Sequence, residues 1–340
     1  MSTPTTCIVG AGAVGGLLAA KLATTGDVSV LARGAHLARI AADGLTLIEG
    51  DARSVARLRA ADDAAALGRQ DIVIVALKAQ GLVAAAPSLA PLIGPDTVIV
   101  PMMNGVPWWF FSGFGGRMAG TVLQTVDPGG VISATLPPAQ VVGAVVHLSS
   151  AVAGPGVIRR GRGNLFLLGD PVGPETQRLR RVVDLLAAAG FDTRPTPEIQ
   201  REVWLKLWGN MNMNPISALT SSTADLIMDD PLTADLVRRM MEEAAEIGDK
   251  LGIVMNMTID QRFDVTRELG AFKTSMLQDL EAGRGLEIDA ILAAPIEIGD
   301  RLGIAMPYSK AVLGLVRQRA RNAGLYDYRM GQKPLATAAG

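Results

Sequence analysis

Thr5-Thr-Cys-Ile-Val-Gly-Ala-Gly-Ala-Val-Gly-Gly16 stands near the start of the chain, an apolar run that breaks into glycines at positions 10, 12 and 15. The run reads as a strand. Leu17, Leu18, Ala19 and Leu22 behind it read as a helix. Glycines at this spacing between a strand and a helix have separate tasks. Gly10 permits the tight turn, Gly12 lets the backbone approach a pyrophosphate, and Gly15 lets helix and strand pack closely. The first helical residues, Ala13 and Val14, would turn their N–H groups and the positive end of the helix towards the phosphates. The stretch is therefore read as a dinucleotide-binding turn, with a plain strand–turn–helix as the alternative.

The next strand, Val28-Ser-Val-Leu-Ala-Arg33, bears on which dinucleotide is bound. An Asp or Glu at the end of this strand would hydrogen-bond a ribose 2′-hydroxyl and favour NAD. Here the position holds Arg33, whose guanidinium can pair with a 2′-phosphate in bidentate fashion. Lys78 follows the strand Asp71–Leu77 and would lie at the same edge of the sheet as a second cation. NADP(H) is the expected cofactor; the alternative is that Arg33 and Lys78 are solvated loop charges.

The chain has 340 residues, enough for two domains. It is 49% hydrophobic, 19% charged and carries a net charge of −1. A mean hydropathy of +0.29 raises the question of a membrane. The long stretch without Asp, Glu, Lys or Arg between Asp127 and Arg159 is broken by Pro and Gly, so no uninterrupted run is long enough to span a bilayer. The near-neutral charge, without a basic block, argues against nucleic acid. The N-terminus has no basic region or hydrophobic signal core, and the single Cys7 lies within the first strand as a small hydrophobe. A cytoplasmic protein is expected. Two histidines, His36 and His147, are too few for a His-rich metal site, and no metal is expected.

Apolar β-type runs at Cys7–Val9, Val28–Leu31, Ile72–Leu77, Val98–Met102, Val122–Val126, Val141–Leu148 and Leu165–Leu168 alternate with helical or loop segments. Such alternation implies a largely parallel sheet with helices on its faces, the later strands pairing antiparallel. A helix over about 175–189 precedes Arg194-Pro-Thr-Pro197, a rigid non-helical link. Beyond it the helical period takes over. Asp230-Pro231 reads as an N-cap with proline at the first helical position. The helix it opens should run to Gly252 with a core-facing stripe of Leu232, Leu236, Met240, Ala244, Ile247 and Leu251. Thr258 should cap a helix reaching Gly283, another should start near Leu286, and Pro307 should open the last. The fold expected is α/β: a Rossmann-type dinucleotide-binding domain over 1–195, an all-helical substrate and catalytic domain over 196–330, and a loose tail over 331–340.

Two stretches of the helical half carry polar residues where a core should be apolar. In Trp204–Pro215, Lys206, Asn210 and Asn214 are four apart and form one line on a helix, among Trp204, Leu205, Leu207, Trp208, Met211 and Met213. Lysine is rarely buried without cause, and Asn is a poor helix interior residue. A solvated face is the bland reading, and the apolar neighbours weigh against it. In Thr274–Asp289, Ser275 and Asp279 share a face, and Gly283-Arg-Gly285 precedes Glu287 at the start of a further helix. There a helix-terminal acid complementing the dipole is an equally good reading.

These residues resemble the ketopantoate reductases, the 2-dehydropantoate 2-reductases, from Gly10 to about Leu315. The resemblance rests on Gly10–Gly15, Leu77-Lys-Ala79, Met103-Asn-Gly105, Glu202-x-x-x-Lys206 with Asn210 and Asn214-Pro215, Ser275-Met-Leu-Gln-Asp279, and Glu287-Ile-Asp289. It implies that Lys206 is the general acid and that Glu287 holds substrate and lysine in position. It further implies that Asn104 sits near the nicotinamide and that Asn210, Asn214 and Ser275 hydrogen-bond the substrate. The chemistry agrees. Reducing a 2-oxo acid puts negative charge on the carbonyl oxygen, which a lysine of lowered pKa can protonate. Phe272, Leu292-Ala293 and Gly81 depart from the family pattern, and Phe272 replaces a polar substrate contact. The function expected is NADPH-dependent reduction of ketopantoate to pantoate. The alternatives are the same chemistry on another small 2-oxo or hydroxy acid, or a non-catalytic NADP-binding sensor. The expected partner is a small-molecule 2-oxo acid, and a homodimer is the assembly this reading admits.

Overall fold

The computed structural model describes residues 4–327. The expected loose tail over 331–340 lies outside them. Two sheets organise the first half. One holds five parallel strands in the order Arg59–Ala61, Val28–Leu31, Thr6–Val9, Ile72–Val75, Val98–Pro101. An isolated parallel bridge from Ile99 to Val141 continues it. The first strand thus lies in the middle, and the order reverses beside it, as in doubly wound nucleotide-binding sheets. Its four residues are buried, as are those of the strands on either side. Continuous apolar runs form these strands because both faces of the sheet are covered. Cys7 lies in this core without exposure, and burial pushes its thiol up to about 11.

The second sheet is built around the long hairpin Gly143–Gly154 and Val157–Gly169, antiparallel as the Gly- and Pro-rich sequence suggested. Val157–Gly169 also pairs in parallel with Leu45–Glu49 and with Asp192–Pro195. The expected rigid link at 194–197 thus begins as an edge strand, where proline is tolerated because its missing N–H faces away from the ladder. Leu45–Glu49 pairs antiparallel with Ala52–Ala56.

Three expectations need correction. Val122–Val126 is no strand: Glu297 takes the backbone N–H groups of Gln124 and Thr125 at 2.9 and 2.8 Å, so a carboxylate occupies donors that a neighbouring strand would have used. The helix expected from Thr258 to Gly283 is two helices, Ile259–Glu268 and Ser275–Glu281. Thr258 caps the first in a capping box with Gln261, and Thr274 caps the second through Leu277 N–H. Asp230 and Pro231 do open the helix Pro231–Leu251, which ends at left-handed Gly252, but its buried stripe is rotated from the one expected. Leu232 is 80% exposed, and Val237, Met240, Met241, Ala244, Ile247 and Gly248 face the core. The rotated face meets Trp208, whose indole Nε1 donates to the Met241 carbonyl at 2.9 Å.

The chain forms two compact units. Among the described residues one comprises 4–103, 109–120 and 131–202; the other 104–108, 121–130 and 203–327. The changeover lies inside the helix Ile199–Thr220, a little beyond the 194–197 link, and two short segments from the first half belong to the helical unit. In the helical unit the last helix, Pro307–Asn322, starts at Pro307 as expected. Its N-terminus is capped from another helix: the Glu243 carboxylate accepts from Tyr308 N–H at 2.8 Å and Ser309 N–H at 2.9 Å.

Candidate active site

In the first unit, the strand Thr6–Val9 ends at Gly10, which has a φ of +94° that a side chain would resist. A Cβ at Gly15 would meet Ala76 Cβ at 2.8 Å and collide with the Gly10 carbonyl. Helix and strand therefore touch through this glycine. Gly12 is exposed, with open space around the position of a Cβ. It is the N-cap of the helix Ala13–Leu22, has no capping side chain, and is followed by no acid in the first turn. The first N–H groups of that helix, including those of Ala13 and Val14, have no intrahelical acceptors. These features fit a pyrophosphate. Leu31 and Val75 both lie in register with Val9, so the segments after them emerge at the same edge as the glycine turn. Arg33 and Lys78 lie there as N-caps of the helices Gly34–Asp43 and Ala79–Ala85. Arg33 is exposed and Lys78 half-buried.

The second unit holds the other candidate residues. Nearly every residue of the helix Ile199–Thr220 from Val203 to Ala218 is buried, which explains why its polar line is no solvated face. Lys206 and Asn210 are half-buried and Asn214 is 4% exposed. Lys206 Nζ donates to Asn104 Oδ1 at 3.0 Å, and Asn104 Nδ2 donates to Glu287 Oε2 at 3.3 Å. Glu287 itself is buried. Desolvation lowers the Lys206 pKa from 10.5 to about 8, and the Glu287 charge partly opposes that shift.

The two residues after Asn104 hold it in place. Gly105 has a φ of +81°, and a Cβ there would collide with the Ala290 carbonyl. Val106 N–H donates to that carbonyl at 2.8 Å. Ala290 lies in the wide turn Asp289–Ala293, a π-helical segment that begins two residues after Glu287. Such turns are rare and concentrate at functional sites. Leu292 and Ala293, where the family pattern was lost, are buried within it. Asp289 accepts from Arg317 at 3.1 Å and from Tyr326 at 2.7 Å.

Ser275 and Asn214 are joined through their neighbours. Ser217 Oγ donates to the Asn214 carbonyl at 2.8 Å and lies 2.5 Å from Thr274 Oγ1, the cap of the Ser275 helix. Ser275 is exposed. The Asn214 Nδ2 atom is buried and has no acceptor among the described residues. A buried amide donor left open costs free energy unless a ligand satisfies it. Phe272 lies in the break between the two helices and is 46% exposed. Sequence reasoning missed the chain of hydrogen bonds through Asn104, for which the only signal was the Asn-Gly pair after the strand Val98–Pro101. It also missed Arg262, whose guanidinium lies over Gly209. A glycine in mid-helix was the signal there. Among the described residues no helix is long and apolar enough to cross a membrane.

Comparison with known proteins identifies the family. The N-terminal ketopantoate reductase PanE/ApbA family model matches residues 6–108, and its C-terminal counterpart matches 198–320. A 2-dehydropantoate 2-reductase of Mesorhizobium japonicum is 47% identical over 94% of this chain and 99% of its own length. A Ralstonia solanacearum protein assigned to the ketopantoate reductases superposes with a TM-score of 0.92 at 48% identity, over 96% of this chain and all of the other. The 2-dehydropantoate 2-reductase of Geobacter metallireducens superposes with a TM-score of 0.79 at 28% identity, over 92% of this chain and 99% of the other. D-mandelate dehydrogenase, at 18% identity and a TM-score of 0.78, shares the fold. With a Rossmann-type nicotinamide dinucleotide domain, a helical C-terminal domain and these matches over most of its length, the chain is an oxidoreductase acting on CH–OH/C=O groups of small molecules and belongs to the ketopantoate reductase family.

Proposed function

We propose that the protein reduces 2-dehydropantoate to pantoate with NADPH and uses Lys206 as the general acid. The observation that carries this reading is the state of Lys206: half-buried, held at 3.0 Å by Asn104, and lowered to about 8. An ammonium of ordinary pKa would hold its proton too firmly for efficient transfer near neutrality; one near 8 is poised to give it up. When bound, the reduced nicotinamide supplies the hydride, which ends on the carbonyl carbon. Lys206 stabilises the developing charge on the carbonyl oxygen and delivers the proton that completes the hydroxyl. Asn104 and Glu287 hold the ammonium in position, and the Glu287 charge keeps its pKa from falling further. Asn210, Asn214 and Ser275 are the proposed substrate contacts, and the open Nδ2 of Asn214 supports this role.

For the cofactor, Gly10, Gly12, Ala13, Val14 and Gly15 would cradle the pyrophosphate. Arg33, with Lys78 at the same edge of the sheet, would pair with a 2′-phosphate. A cytoplasmic homodimer is proposed with this reading; sedimentation of the full chain measures the assembly. The decisive experiment monitors NADPH absorbance with ketopantoate and identifies the product. Saturable NADPH consumption that yields pantoate, and its loss in Lys206→Ala, is the expected result. Phe272 favours one second reading, the same chemistry on another small 2-oxo acid. Reduction of such an acid in preference to ketopantoate would replace the first reading with it.

A further inference from the structure

Gly209 sits in the middle of the helix that carries Lys206, where glycine weakens a helix relative to alanine. Its missing side chain makes room for a guanidinium. A Cβ there would collide with Nη2 of Arg262 and lie 3.1 Å from its Cζ and Nε. Arg262 projects from the helix Ile259–Glu268, so its planar head lies on the Lys206 helix between Lys206 and Asn210 in sequence. Gly209 is three residues after Lys206, so the two share one side of the helix.

Several other guanidiniums of the helical unit have an acidic partner. Arg301 pairs with Glu297 at 2.7 Å, Arg317 with Asp289 at 3.1 Å and Arg284 with Asp279 at 2.9 Å. Among the described residues the Arg262 side chain has no ion pair or hydrogen bond, and its Nε is buried without an acceptor. Burial lowers its pKa, and no carboxylate offsets the shift. Drawing an arginine away from water without an acid is costly. An anion supplied by a ligand would offset that cost.

We propose that Arg262, seated over Gly209, is a substrate-binding residue that pairs with a carboxylate of the 2-oxo acid. The inference rests on the reading of the Lys206 site as the place where a 2-oxo acid is reduced. The guanidinium fork matches a carboxylate in two parallel hydrogen bonds, and a half-buried position strengthens both. The carboxylate is either the one beside the reacting carbonyl or a second one at the far end of the substrate.

Steady-state kinetics with NADPH test this in the full chain, using ketopantoate, its uncharged lactone and 2-oxoglutarate as substrates. Arg262→Gln should raise KM at least about tenfold for one or both acids, change kcat by less, and leave the lactone unaffected. Gly209→Ala should give the same pattern, because it evicts the guanidinium while Arg262 stays in the chain. The ligand-free Tm of Arg262→Gln should equal or exceed that of the parent. A rise confined to ketopantoate assigns the carboxylate beside the carbonyl; one confined to 2-oxoglutarate assigns the distal carboxylate. Unchanged KM for both acids, an equal loss on the lactone, or a marked fall in Tm overturns the proposal. Turnover insensitive to Arg262→Gln overturns this inference alone. Absence of turnover in the parent with every substrate overturns the reductase reading and this inference with it.

Discussion

Asn104 faces Lys206 with its carbonyl oxygen, 3.0 Å from Nζ, and turns its amide nitrogen to Glu287 at 3.3 Å. One neutral side chain thus accepts from the ammonium and donates to the carboxylate. Asn is suited to both tasks because it has an acceptor and two donors on one planar group. The arrangement fixes the ammonium without placing a second carboxylate on it, which would raise its pKa and hold its proton more tightly.

Asn104→Ala should therefore act on the chemical step. We expect kcat to fall by about 10–100-fold, the scale of a misplaced catalytic group. Lys206→Ala should cost about 10²–10⁴-fold. Steady-state kinetics with both variants measure the two falls. A rise in the KM for NADPH with kcat unchanged would make Asn104 a cofactor contact in place of a positioning residue.

The pH profile should bend where Lys206 loses its proton. For ketone reduction kcat/KM is expected to be flat below about 8 and to fall tenfold per pH unit above it. Glu287 raises the Lys206 pKa, so Glu287→Gln should move the bend to lower pH. The same shift enters stability. The folded pKa lies below the ordinary value of 10.5, so burying the charged ammonium disfavours folding below about 8. That cost is relieved as pH rises from about 8 to 10.5. A bend that stays put in Glu287→Gln would remove the carboxylate from the control of this lysine.

Much of this was legible in the sequence because local chemistry and function coincided. Gly10, Gly12 and Gly15 lie on the turn they specified, and Asp230-Pro231 opened a helix as capping rules require. What could not be read was set by distant partners. Nothing near Val122–Val126 shows that Glu297 will take its backbone N–H groups. Thr274 caps a helix because Gly270, with a φ of +61°, turns the chain before it, and because Ser217 on another helix meets its hydroxyl. The four-residue spacing of Lys206, Asn210 and Asn214 fixed their shared side, but not the depth of Asn214 or the reach of Asn104 to Glu287.

Gly105→Ala should disturb the same lysine from a distance. Its φ of +81° disfavours a side chain, and a Cβ would collide with the Ala290 carbonyl that receives Val106 N–H. Strain of this kind costs about 1–3 kcal/mol. Denaturant unfolding should show that loss, and kcat should fall with it because Asn104 moves. Unchanged stability would mean that the Asn104 loop relaxes freely and is no rigid support.

Arg33→Ala should cost cofactor discrimination. NADPH is expected to bind at least about tenfold tighter than NADH, a difference of about 1.4 kcal/mol, and the variant should lose most of it. Titration of both cofactors against both proteins reads this directly. Equal affinities in the parent would remove Arg33 from the choice of cofactor.

Phe272 should shape substrate preference. The family resemblance places a polar substrate contact here, and this chain offers an aromatic ring that is 46% exposed in the break before Thr274. A ring cannot satisfy the hydroxyl of ketopantoate, and an unsatisfied buried hydroxyl costs about 1–3 kcal/mol. Phe272→Asn is thus expected to raise kcat/KM for ketopantoate relative to a 2-oxo acid of similar size without the hydroxyl. Both substrates are to be measured with both proteins, because the ratio cancels any general effect on folding or cofactor binding. If the parent already favours ketopantoate and the variant loses that preference, Phe272 belongs to a competent ketopantoate pocket in which its ring packs against the substrate's methyl groups.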